Sequence, residues 1–126
     1  MGRGMPDAYD RRQLTVDVRR VGAGAVVAPG GELDHHSAGR LRESLGSCIA
    51  DGCNRIVVDC SGLEFCDSTG LNVLLATRLE LEAVGGEMHL AEMQPTVARV
   101  LEITGAAAVF VLHDRVEDAL AALPAD

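Results

Sequence analysis

The chain reads as one layered α/β domain, with a mixed sheet of about five strands, an opening hairpin and about four helices. Three patterns predict it. Leu14, Val16 and Val18 alternate with Thr15, Asp17 and Arg19, the period of a half-exposed strand. The period then lengthens, with Ala38, Leu41, Leu45, Cys48 and Ile49 at helical spacing. Between helical stretches lies Ile56-Val57-Val58, a β-branched run expected of a central parallel strand buried on both faces.

In chain order, residues 1–12 are polar and unpatterned and are expected to form a loose leader, with the domain over 13–124. Ala25-Val26-Val27-Ala28 pairs with the first strand as a hairpin across Gly22-Ala23-Gly24. Asp34 or Ser37 is placed to cap the first helix, which Gly52 ends. A second helix is expected from Ser68 to Val84, with Leu71, Leu74, Leu75 and Leu79 on its apolar side and Gly85-Gly86 as its stop. Strand 87–92 follows. Pro95 stands at a first helical position and Gly105 at a helix end, around a stripe of Val97, Val100 and Leu101. Val109 to Leu112 predicts a last buried strand. Asp114-Arg115-Val116-Glu117 resembles a capping box ahead of a helix whose apolar face is Val116, Ala119, Leu120 and Leu123.

Composition limits the function. At 126 residues the chain can close one core without staples. Its net charge of -8 and lack of any Lys argue against direct nucleic-acid binding, which needs clustered cations on phosphates. No stretch is apolar enough to span a membrane, and no apolar run follows Arg3, so a cytoplasmic protein without membrane contact is expected. Cys48, Cys53, Cys60 and Cys66 lack C-x-x-C spacing and are read as reduced structural thiols. A metal site using His89 or His113 has no support in the spacing, and no cofactor is expected.

The informative segment joins the buried strand to the second helix: Asp59-Cys60-Ser61-Gly62-Leu63-Glu64-Phe65-Cys66-Asp67-Ser68-Thr69-Gly70-Leu71. Two hydroxyls follow an acid at a helix start. Capping alone would account for such a pair, because side-chain oxygens there accept free backbone N–H groups. The same place suits a phosphoryl group, which the unpaired N–H donors and the positive end of the helix dipole would tolerate. Gly70 is expected to leave room for a partner's close approach. His35 and His36 are expected to face solvent, and Asp59 to serve as an ordinary loop-side acceptor.

Gly31-Glu32-Leu33-Asp34-His35-His36 and Phe65-Cys66-Asp67-Ser68-Thr69-Gly70-Leu71 make the chain resemble bacterial anti-sigma factor antagonists, the stand-alone members of the STAS domain family. Ile56-Val57-Val58-Asp59, Gly85-Gly86-Glu87-Met88 and Ile103-Thr104-Gly105 support the resemblance from about Leu14 onward. It implies a single STAS-like domain. It also implies that Ser68 is the serine phosphorylated by a partner kinase, which is itself the anti-sigma factor, with Asp67 beside it and Asp34 near the same surface. The unmodified antagonist would bind that kinase and free a sigma factor, and phosphorylation would end binding until a phosphatase reversed it. The partner-binding set is then Asp34, Asp67, Ser68, Thr69, Gly70 and Leu71, with Leu71, Asp34 and the Ser68 hydroxyl at its centre.

Enzymatic readings fare worse. Cys66-Asp67-Ser68-Thr69-Gly70 is not the G-x-S-x-G elbow of α/β-hydrolases, and an aspartic protease would need a second acid site. The alternatives within binding are a nucleotide- or ligand-sensing module, although no P-loop is present, and a partner switch acting on a kinase unrelated to sigma factors.

Overall fold

The structure is a computed structural model, described here over residues 13–123. The leader expected at 1–12 lies outside the described residues. Strands β1 (Thr15–Val21) and β2 (Gly24–Leu33) form the antiparallel hairpin, turning at Gly22. Helix α1 (Ala38–Ala50) leads to β3 (Arg55–Asp59) and the short β4 (Leu63–Cys66). Helix α2 (Ser68–Ala83), β5 (Glu87–Ala91), α3 (Pro95–Thr104), a 3-10 turn at Ala106–Ala108, β6 (Val111–His113) and α4 (Val116–Ala122) follow.

The sheet order is β1-β2-β3-β5-β6, with β4 attached to the far half of β2. Strands β2, β3, β5 and β6 run parallel, and each crossover moves the chain the same way across the sheet. Right-handed crossovers therefore put α1, α2 and α3 on one face. That face holds the larger core, including Leu41, Leu45, Val58, Leu74, Leu90 and Leu101. Among the described residues the other face is covered by α4, over Val26, Val57 and Ala91.

Among the described residues the mixed sheet, hairpin and four helices are as expected, and Ile56-Val57-Val58 is fully buried between β2 and β5. Three local expectations are corrected. Leu79 is 60% exposed, because the buried side of α2 runs through Gly70, Val73, Leu74, Thr77 and Leu81. Thr77 can sit there because its hydroxyl donates to the Val73 carbonyl at 2.8 Å. The last strand starts at Val111 and is an exposed edge, the chain before it being occupied by the 3-10 turn and the buried Phe110. Finally, Asp114 does not cap α4; the Val116 N–H donates instead to the Glu92 carboxylate, 2.9 Å away.

The strand that sequence patterning missed, β4, positions the candidate site. β2 is ten residues long and serves two partners, Gly24–Val27 beside β3 and Gly31–Leu33 beside β4. The register shifts between Gly31 and Glu32, and Gly31 takes φ 101°, a conformation open to glycine and strained for other residues. This bend turns the end of β2 toward the start of α2.

Candidate functional site

Two strand-to-helix joins meet at this end of the sheet. The Asp67 N–H donates to the Leu33 carbonyl at 3.1 Å, tying the start of α2 to the end of β2. Asp67 is the N-cap of α2: its carboxylate accepts the Gly70 N–H at 3.0 Å, and its carbonyl accepts the Leu71 N–H at 2.9 Å. Ser68 and Thr69 follow as the first two helical residues, both exposed. Their N–H groups belong to the helix positions that lack an intrahelical partner. Among the described residues the Ser68 hydroxyl has no hydrogen-bond partner, and the capping it could have supplied is done by Asp67.

Gly70 and Leu71 are buried, Leu71 to 5% exposure. A methyl group on Gly70 would fall 2.5 Å from Leu33 Cγ and 2.9 Å from the Leu33 carbonyl oxygen. The close approach that Gly70 permits is thus the chain's own strand β2 against α2, rather than that of a second protein. Leu71 likewise anchors the helix start from below, and its side chain does not form the centre of an open patch.

At the neighbouring join Asp34 is half-buried and tightly held. One carboxylate oxygen accepts the His36 N–H at 2.9 Å and the Ser37 N–H at 3.1 Å. The Ser37 hydroxyl accepts the Asp34 N–H at 2.9 Å and donates to the Glu32 carbonyl at 2.8 Å. Partial burial opposes ionisation of Asp34, but the donors from His36 and Ser37 outweigh it and hold its carboxyl below the usual range. The expected side-chain cap of α1 by Asp34 or Ser37 is not formed: Ser37 stands at the N-cap without a capping bond, and the two side chains brace the entry through an Asx-type turn ahead of the helix. A shallow cavity of about 250 Å³ opens beside this join, bordered by Gln13, Glu32, Asp34, His36 and Arg40.

His35 and His36 are exposed, as expected, and His35 Nδ1 lies 4.0 Å from the Asp67 carboxylate. Phe65, absent from the expected site residues, is 41% exposed on the strand leading into Ser68. Its signal was compositional, because the chain has only two Phe and no Trp, so an aromatic outside the core stands out. Asp59 is the loop-side acceptor expected, bonded to the Ser61 N–H at 3.0 Å.

All four cysteines are free and buried. Burial, reinforced by the charge of Asp59, pushes the Cys60 thiol up to about 12, and burial with Asp67 does the same for Cys66. Neither supplies a thiolate nucleophile beside Ser68 at neutral pH.

The comparisons with known proteins agree with this geometry. The STAS domain family matches residues 15–119. The chain is 33% identical over 99 residues to the anti-sigma F factor antagonist of Paenibacillus polymyxa, covering 78% of this chain and 85% of that protein. Among solved structures it is similar to the anti-sigma factor antagonist SpoIIAA in its unphosphorylated form, with TM-score 0.74 and 29% identity over 84% of this chain and 93% of that one. The phosphorylated form of the Bacillus cell fate determinant SpoIIAA superposes with TM-score 0.68 and 27% identity, over 85% and 97% of the two chains. With its fold, its two meeting joins and a match over most of its length, the chain belongs to the STAS domain family.

Proposed function

We propose that this chain is an anti-sigma factor antagonist: unmodified, it binds an anti-sigma factor that is a serine kinase and so releases a sigma factor, and a phosphate on Ser68 ends that binding. A protein serine phosphatase then restores the binding form. The observation that carries this reading is the spare hydroxyl of Ser68. It is exposed at a helix start, yet the structural task open to a serine there belongs to Asp67. The relatives named as anti-sigma factor antagonists, and the same fold in both forms of SpoIIAA, support it.

The switch works by charge. A phosphate adds a charge of about -1.5 to -2 beside Asp67, next to the join that holds Asp34. The unpaired N–H groups at the start of α2 stabilise the modified side chain locally, so the fold persists. A partner seated over the hydroxyl must instead bury a dianion without a matching cation, and it dissociates. The contact surface on this reading is formed by Ser68, Thr69, Asp67 and Asp34, braced by Gly70 and Leu71. The chain acts by binding and performs no chemistry of its own.

Incubation with the cognate kinase and ATP, followed by peptide mapping, tests the assignment. Label is expected on Ser68, with kinase affinity falling at least about tenfold, roughly 1.4 kcal/mol. Ser68→Ala is expected to bind persistently and Ser68→Glu weakly. Label confined to other residues, or undiminished binding by the phosphorylated chain, would reject the proposal.

A further inference from the structure

On the sheet face covered by α4, a short polar chain crosses from β5 to the edge strand. His89, 5% exposed, has its Nε2 3.0 Å from the Glu87 carboxylate and its Nδ1 3.0 Å from His113 Nε2. The two rings lie 15° from parallel with centroids 5.1 Å apart. We propose that this Glu87–His89–His113 chain is a latch that counts protons, holding β6 and α4 on the sheet and releasing them on acidification.

An ionised Glu87 only accepts, so His89 Nε2 carries a hydrogen. Between His89 Nδ1 and His113 Nε2, at 3.0 Å, there is room for one hydrogen. The closed chain can take one further proton, on His113 Nδ1, and then is full. Another would set N–H against N–H. Once β6 leaves β5, both imidazoles can charge fully, so the open form binds one proton more than the closed form. Its population therefore rises as pH falls, by up to about tenfold per pH unit.

The rest of this edge depends on the latch. β6 has three residues and pairs with β5, and its Val111 and Leu112 are substantially exposed, so little apolar burial holds it. The carbonyl of His113 accepts the Glu92 N–H at 3.0 Å, and the Glu92 carboxylate accepts the Val116 N–H at the start of α4. Glu92 takes φ 58°, a conformation costly for a residue other than glycine and held here by those two bonds. Displacing His113 thus removes the support of Glu92 and the cap of α4 together.

Several charged groups of the described residues surround the pair. Arg55 stands opposite Glu87 on β3, and Asp59 opposite Ala91. The Arg78–Glu82 pair of α2 borders the cavity that Glu87 and His89 line, and Glu92 and Asp114 border the one at His113. On α4, Glu117 and Asp118 are exposed in the first turn.

Amide hydrogen exchange on the full chain tests the latch. Protection of residues 111–122, referenced to β3 to remove the intrinsic pH effect on exchange, is expected to fall by up to about tenfold per pH unit as pH drops from about 7.5 to about 5.5, where free imidazoles charge. In His113→Gln the amide can turn its carbonyl oxygen to accept from His89 Nδ1, so His89 can charge in the closed form as in the open one, and this slope is expected to vanish. Should that variant fail to fold, ¹⁵N imidazole spectra of the unmodified chain decide: uptake of the last proton must coincide with loss of protection. Flat protection in the unmodified chain, the same slope in His113→Gln, or full protonation of both rings with 111–122 still protected would each overturn the proposal.

Discussion

Ser37 and Ser68 stand at the two joins that meet at one end of the sheet, and each follows an acid at a helix entry. At the first join the hydroxyl is consumed: it bridges the Asp34 N–H and the Glu32 carbonyl. At the second the acid one residue upstream is the cap, and the hydroxyl is left outward. A serine at a helix start is therefore an ambiguous sign of function, and what separates the two is whether the fold already uses the oxygen. Each join also has a glycine in its first turn. Gly70 is pressed against Leu33, whereas an added methyl on Gly39 would meet nothing within 4 Å.

The glycines give the largest expected contrast. Gly70→Ala must push α2 off the end of β2 and is expected to cost about 1–3 kcal/mol, while Gly39→Ala is expected to stabilise by about 0.5–1 kcal/mol through helix propensity. Urea unfolding of the two variants measures both, and equal signs would show that the joins do not differ in packing. The serines come next. Ser37→Ala is expected to cost about 1 kcal/mol for its two lost bonds, and Ser68→Ala to stay within about 0.5 kcal/mol of the parent. A large loss for Ser68→Ala would mean that its oxygen has a structural task, and the contrast would fail.

The smallest effect is expected from pH. The Asp34 carboxyl is held below its unfolded value, so its contribution to stability is complete above that value and is lost as pH falls through the lower, folded one. Asp34→Asn is expected to flatten the acid limb of the stability profile slightly. An unchanged limb would show that the donors at this join do not favour the charged form.

Much of the fold was legible because periodicity reports burial directly. The central run at Ile56, the stripe of α3, Pro95 at its first turn and Gly105 in left-handed conformation at its end all follow from local rules. The errors fell where burial was decided by distant partners. Leu79 looks like a core residue by spacing, but α2 packs through Val73 and Thr77 instead. β4 has four residues with no alternation and exists because the far half of β2 offers it a free edge. The cap of α4 comes from Glu92, 24 positions upstream of Val116, where a local capping box would not place it.

For the candidate site, sequence alone determined which atoms are present: an acid, two hydroxyls and a glycine in order at a helix start, within a motif specific enough to indicate the family. Local chemistry carries that much, since helix entry and capping depend on residues a few positions apart. Tertiary structure decided how each is employed, turning Gly70 and Leu71 inward, bringing Asp67 to Leu33 and leaving the Ser68 hydroxyl without a partner among the described residues. Those outcomes depend on how closely β2 and α2 approach, a distance set by the packing of the whole sheet face and written in no single segment.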